Sequence, residues 1–366
     1  MEHNILTLDF WQNTTTYESV TMPTGSIGCA ALNIPDDMIV ELDKLCEPLN
    51  RFMGTLNTGM PDPALLAAAR DSTLHIFDLL NPVPPFSYLD KDFYTKGVAD
   101  AFTQEGIHDF QAYTFAMLSG SLDGTSMEQY KRGILLARLT PVLAQLAFSL
   151  RDYKQEMTAF AETLAGPDVK RTPEGLAERF GKSFPPDLDM TGDSWMSMTN
   201  ITVQYLSVVR PGYDIPMLVK RMHFVSFVGM FRADLFEGLC VGHAPKKCPI
   251  CGRWFLTTNA RHTKYCGGLA PGDQLGRTCR QIGNLRGREQ RELAQDHPVK
   301  QIYETRMNTI NRYVSRGNLD KETAVIMKKL AKNKMLWALS DSCYAQGDYE
   351  KEMEQDALLA EARKQR

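Results

Sequence analysis

Long hydrophobic runs are missing from this 366-residue sequence. Among the longest apolar clusters is FVSFVGMF, residues 224 to 231, bracketed by Arg221, His223 and Arg232. It falls far short of the roughly 18 residues that a membrane span requires. The opening stretch, MEHNILTLDFWQNTTTYESV, lacks both a basic segment and an apolar core of the kind that directs secretion. A cytoplasmic location with no membrane partner is therefore expected. Also missing are a phosphate-binding G-x-x-x-x-G-K-[ST] loop, a dinucleotide G-x-G-x-x-G, a zinc-protease H-E-x-x-H and a G-x-S-x-G elbow. An enzyme is not expected, and carboxylate pairs such as Asp36-Asp37 serve equally well as helix caps. No repeat of fixed period and no low-complexity tract is present, which excludes solenoid and fibrous architectures.

What is present describes a globular protein: 43 % apolar and 23 % charged residues, enough chain for two or three domains. The net charge of −3 conceals an asymmetry. Residues 1–242 carry 18 basic against 30 acidic side chains, residues 243–337 carry 19 against 7, and residues 338–366 carry 4 against 7. The sign changes just before a cysteine-rich stretch, which marks a composition boundary: the two halves meet different partners, or each other.

Helical periodicity dominates. Ile39, Leu42, Leu45 and Leu49 recur at three and four residues, as do Leu65, Ala69, Leu74 and Phe77. Further helices are predicted at about 91–105, 106–121 and 126–165, the last kinked or broken at Pro141. A loop with a short helix inside it follows. The first 35 residues are predicted to hold a strand or two, and Val203–Val209 reads as another. From Pro216 to Leu239 the pattern predicts one apolar helix, with Phe224, Val228, Phe231 and Leu235 on a single face. Three more helices are predicted at about 280–295, 297–316 and 320–346. The last has Asp320 as its cap and Ile326, Leu330 and Trp337 on its buried side.

The chemistry lies in KKCPICGRWFLTTNARHTKYCGG. Cys248-x2-Cys251, with Cys266 and Cys279 following, places four thiols in a short window. A C-x2-C turn aims its amides at the sulfurs and lowers their pKa, and four thiolates suit a tetrahedral Zn2+. Gly252 follows where a knuckle needs positive φ. RWFLTT has strand character, and Cys279 opens a predicted helix, the order of a treble clef. Four cysteines leave no coordination position for water, so one structural zinc per chain is expected. His262 is the alternative fourth ligand to Cys279. Cys29, Cys46, Cys240 and Cys343 read as ordinary buried thiols. Trp254, Phe255 and Tyr265 are expected to form a small core for the metal module, with base stacking as the alternative.

The stretch from about 215 to 316, above all CPICGRWF…YC…CRQIGN, resembles a bacterial family of unknown function. Its members carry a C-x2-C-G-[RK]-[YWF]-F knuckle after an apolar helix, followed by a basic helical C-terminus. More remotely it is similar to the zinc finger of bacterial regulators that end in a Cys-Gly-Asn-Arg signature. Here Cys279-Arg280 is followed by Gly283-Asn284-Leu285-Arg286, and the last two cysteines lie further apart. The first resemblance implies a zinc knuckle, the second a role in DNA regulation.

If helical, the segment after Cys279 puts Arg280, Arg288 and Arg291 on one face, a candidate contact to nucleic-acid phosphates or base edges. A solvated surface is the plain reading of Lys321, Lys328 and Lys332. The expected architecture is mainly α. An acidic helical domain over 1–210 leads through a connecting apolar helix, 211–245, to a zinc module at 246–295 and a basic helical region at 296–366. The expected function is zinc-dependent nucleic-acid binding or regulation. The alternative is a protein-interaction scaffold whose zinc is purely architectural.

Overall fold

The computed structural model describes residues 5–56, 59–119, 127–164, 169–183, 201–210, 212–259, 263–286 and 297–364. The chain divides into two compact units, Met1–Cys266 and Gly267–Arg366. This division falls after the third cysteine, whereas the composition boundary falls before the first. The protein is mainly helical, as expected, with antiparallel sheet in the first unit.

That unit opens with three short strands, Thr7–Trp11 (β1), Thr14–Tyr17 (β2) and Val20–Pro23 (β3). Eight helices follow: Ser26–Ala31 (α1), Asp36–Leu56 (α2), Pro63–Leu80 (α3), Lys91–Ala101 (α4), Gln104–Ser119 (α5), Met127–Ala144 (α6), Leu146–Leu164 (α7) and Pro173–Ser183 (α8). Asp62 starts α3 and Asp90 starts α4 by accepting first-turn amides, and both helices bury one face. The expected break near Pro141 comes at Gln145: Pro141 stays inside α6, and α7 departs at 49°. That bent pair has the length and composition of a broken membrane span. Its apolar side chains, Leu136, Leu143, Leu146, Leu150 and Met157, are buried in the core. No single helix among the described residues is long and apolar enough to cross a membrane.

The helix expected from Pro216 is corrected in its first half. Pro216–His223 is a strand (β5), paired with Thr202–Val209 (β4) and with β1; the helix (α9) starts only at Phe227 and ends at Cys240. Ser226 caps it, its hydroxyl accepting Gly229 N–H at 3.2 Å. The cause is non-local: Thr7–Phe10 pair with His223–Lys220, giving that segment ladder partners on both edges. The sheet order is β3-β2-β1-β5-β4, and β1 lies in its middle. Residues 211–245 are therefore not one connecting helix.

Where helical, the face anticipated for α9 is right, since Phe231 and Leu235 are buried. The helix crosses α1 closely enough that a Cβ on Gly28 would sit 2.5 Å from the Phe231 carbonyl oxygen. The ring of Phe231 meets Tyr153 at 5.4 Å, and that of Phe227 meets Phe86 at 5.1 Å. Two further strands, Ala244–Lys247 (β6) and Trp254–Thr257 (β7), form a separate hairpin.

In the second unit residues 279–286 are helical (α10), followed by Pro298–Ser315 (α11), Lys321–Ser340 (α12), Ser342–Gln346 (α13), Tyr349–Glu352 (α14) and Gln355–Lys364 (α15). Asp320 caps α12, as expected, accepting Thr323 N–H at 2.9 Å. Val299, Ile310, Met327, Ala331, Tyr349, Met353 and Leu358 make a core of its own. Trp337 corrects the expectation: it is 54 % exposed and stacks on Tyr344 at 4.0 Å.

Candidate metal centre

The sulfur atoms of Cys248, Cys251, Cys266 and Cys279 all lie within 4.8 Å of one another, and Cys251 and Cys266 are 3.6 Å apart. Four thiolates about 2.3 Å from a central ion stand about 3.8 Å from each other in a tetrahedron, so the set fits a metal. Cys248 and Cys279 are buried, and Cys251 and Cys266 half-buried.

Local backbone chemistry brings them together. Cys248 directly follows β6 and donates its N–H to the Arg253 carbonyl at 2.9 Å. Gly252 donates back to the Cys248 carbonyl at 2.9 Å and adopts φ 73°, as its position after the knuckle predicts. The glycine-rich excursion after Cys266 explains how the last thiol arrives. A bridge between Leu269 and Thr278 closes the excursion, and Cys279 N–H donates to the Gly268 carbonyl at 2.9 Å. Asp273 holds the tip, its carboxylate accepting Arg277 N–H at 2.7 Å and Nη2 at 2.6 Å. The Arg277 guanidinium keeps that carboxyl below its ordinary range. Cys279 thus returns beside the chain that has just left Cys266, as the first residue of α10.

Burial works against ionisation of Cys248. Amides of Cys251, Cys266 and Ile250 and the Cys266 thiol donate to it and outweigh burial, bringing it down to about 6. A thiolate poised near neutrality is the form that binds metal.

The hairpin under the knuckle is part of the first unit's core. Trp254 is buried as part of the first unit's large hydrophobic core rather than in a small core of its own. Sequence reasoning missed the residues that lock it. Asn33 donates from Nδ2 to the Trp254 carbonyl at 2.9 Å and accepts Trp254 N–H at 2.7 Å, occupying the place of a third strand. Arg171, buried so that its pKa is lowered, donates to the Pro245 carbonyl and Thr257 Oγ1, both at 3.2 Å. Behind them stands Asp234, fully buried on α9. Its Oδ1 accepts from Thr15 Oγ1 at 2.9 Å and Gly25 N–H at 3.0 Å, and its Oδ2 from Ile27 and Gly28 N–H at 2.8 and 3.0 Å. Burial raises its pKa against the pull of these four donors. One signal could have found it: a lone carboxylate on the apolar face that carries Phe231 and Leu235.

The remaining expectations divide. Arg280 lies exposed in α10, while Arg288, Arg291 and His262 fall outside the described residues, as does the side chain of Cys343. Cys29 and Cys46 are buried, but Cys240 is exposed at the end of α9, which corrects the reading of it as a core thiol.

Fold and site together define a mainly helical protein with a four-cysteine cluster whose geometry could hold a metal ion. Residues 196–365 match the model of a family of unknown function, DUF6076. The match runs from just before β4 to the end of α15 and takes in all four cysteines. No curated protein and no solved structure matches the chain.

Proposed function

We propose that this chain is a cytoplasmic nucleic-acid-binding or regulatory protein whose four cysteines hold one structural zinc in a treble-clef-like module. Zinc is favoured over iron, the other metal that four thiolates suit, because it needs no redox partner and rests stably in a closed shell. In this reading the ion does no chemistry on a substrate. It ties the β6–β7 knuckle to the excursion that ends at Cys279.

The observation that carries the nucleic-acid part is the exposed face of α12. Lys321, Lys329 and Lys332 are exposed there and Lys328 is half-buried, and none of them is held in an ion pair among the described residues. Between them stand exposed apolar side chains, Val325 at 66 % and Leu336 at 52 %, with Trp337 beside them. Glu322 is the one acid on the helix. Cations interleaved with apolar and aromatic side chains suit a phosphate backbone and its bases. The likeness of the knuckle to bacterial regulators supports the same reading, and Arg280 adds a cation at the start of α10.

Two measurements test it. Elemental analysis should find one zinc per chain; coloured, iron-loaded protein would overturn the zinc assignment. Fluorescence anisotropy with labelled duplex DNA and single-stranded RNA, between about 50 and 200 mM salt, should show binding that falls steeply with salt. The triple change Lys328→Gln, Lys329→Gln, Lys332→Gln should weaken it and reduce the salt slope by up to about 0.9 for each phosphate left without its cation. Absence of binding at the lowest salt would refute the nucleic-acid role and leave the scaffold alternative.

A further inference from the structure

Strand β4 is an edge left open. It pairs with β5 along its whole length, and on its other side no hydrogen-bonding partner faces it among the described residues. Because backbone groups of an antiparallel strand alternate in direction, every second residue of Thr202–Val209 presents an unpaired N–H and C=O outward. Such an edge is normally blunted by a charge, a proline, a bulge or shortness. The sequence TVQYLSVV has no charge and no proline, spans eight residues and pairs in unbroken register with β5.

Its side chains are equally uncovered. Val203 is 47 % exposed, Tyr205 68 % and Val209 60 %, and Leu218 on β5 adds 67 %. The register sets Val203 and Tyr205 opposite Met222 and Lys220, so both share the face of the sheet that Leu8 and Phe10 fill. Beyond Lys220 the ribbon outruns β1, and that apolar face continues into the open.

The edge is also held still. Arg210, directly after β4, is 3 % exposed. Its Nη2 donates to Thr14 Oγ1 at 3.0 Å and Thr16 Oγ1 at 2.9 Å, and its guanidinium lies over the Trp11 ring at 5.1 Å. Tyr213 packs against the same ring at 5.9 Å. The far end of the strand is thus pinned to β1 and β2.

We propose that β4 pairs antiparallel with β4 of a second copy of this chain, joining two five-stranded sheets into one across a two-fold axis. The occupant follows from charge. In a two-fold pairing each residue meets residues of its own sequence, so any charge near the axis faces itself. A strand of eight uncharged residues meets no such repulsion, and the nearest cations on β5 are already neutralised, Lys220 by Glu237 and Arg221 by Asp9. Val203 and Tyr205 of each copy would then lie across the new ladder, where aromatic and β-branched pairs stabilise a sheet.

Sedimentation velocity on the full zinc-loaded chain at about 50 µM, above the micromolar end of the range spanned by protein interfaces, should give twice the 41.2 kDa chain mass. Val203→Lys with Tyr205→Lys sets four cations across the axis and should return the chain mass, with the far-ultraviolet circular dichroism spectrum and zinc content unchanged and the melting temperature lowered only by the lost association. A photo-crosslinking residue at Ser207 should join copies through β4 peptides. Monomeric wild-type protein at this concentration overturns the proposal. So does a dimer that survives both lysines, a dimer crosslinked elsewhere, or larger open-ended species. Should the double variant not fold, Gln204→Lys, also on β4, gives the same reading on the opposite face.

Discussion

Replacing Asp234 by Asn changes one atom and should loosen the metal hairpin from behind. The carboxylate accepts four hydrogen bonds, two on each oxygen. An amide offers one acceptor and one donor group. With its NH2 toward Ile27 and Gly28, two buried amides lose their acceptor; turned toward Thr15 and Gly25, it strands one amide, because the threonine hydroxyl can reverse and accept. The second arrangement is the better. A buried N–H without a partner costs about 1–3 kcal/mol, and two bonds passing from a charged to a neutral acceptor weaken by about 1 kcal/mol each. The expected loss is therefore about 3–5 kcal/mol, a large share of the stability of an ordinary domain. Urea unfolding followed by far-ultraviolet circular dichroism should show the midpoint falling at unchanged slope. Because Asp234 holds the first turn of α1, and Asn33 just beyond α1 holds Trp254, the zinc proposed for the four cysteines should also leave the variant faster under chelator. A stability change below about 1 kcal/mol would show that the four donors are not bound as described.

Other outcomes can be checked separately. Cys266→Ser and Cys279→Ser should each release the zinc proposed for the site, while Cys240→Ser, at the exposed thiol of α9, should retain it; metal content by mass spectrometry decides, and equal retention in all three would refute the four-cysteine site. Asn33→Ala removes both bonds to Trp254 and should destabilise the first unit by about 1–3 kcal/mol, measured by the same unfolding titration, with no change refuting its strand-like role. His223 is half-buried beside Arg221 and Arg138. Burial, then these two cations, lower its pKa, with Asp9 opposing them. The folded protein therefore binds its proton less readily than the unfolded chain. This contribution to stability is complete above about pH 6.5 and is lost as pH falls through the lower folded value. His223→Gln should flatten that acid-side loss, and parallel curves for both proteins would exclude His223 as its source.

Helical faces were legible because helices write their environment locally. Ile39, Leu42 and Leu49 on α2, or Phe231 and Leu235 on α9, are spaced as the buried side demands. The clustering of the four cysteines was legible because their spacing along the chain is nearly a local property. The sheet was not. Thr7–Phe10 and Lys220–His223 pair across more than 200 residues, and Met217, Val219 and Met222 satisfy a helical period as readily as an alternating one. Asn33 and Asp234 carry no signal in their own neighbourhoods that names a partner, because each answers to backbone groups far along the chain. Trp337 misled for the opposite reason: its position fits the buried face of α12, but its flat neighbour Tyr344 holds it at the surface.

Asn33 has a consequence for how the molecule limits its own growth. Its amide saturates the outward N–H and C=O of Trp254 and so ends the β6–β7 ladder with a side chain where a strand could have docked. On β4 no such stopper exists among the described residues. One protein thus holds a ladder stopped at Trp254 and, among the described residues, another without a stopper, and the difference between them at Trp254 is a single carboxamide.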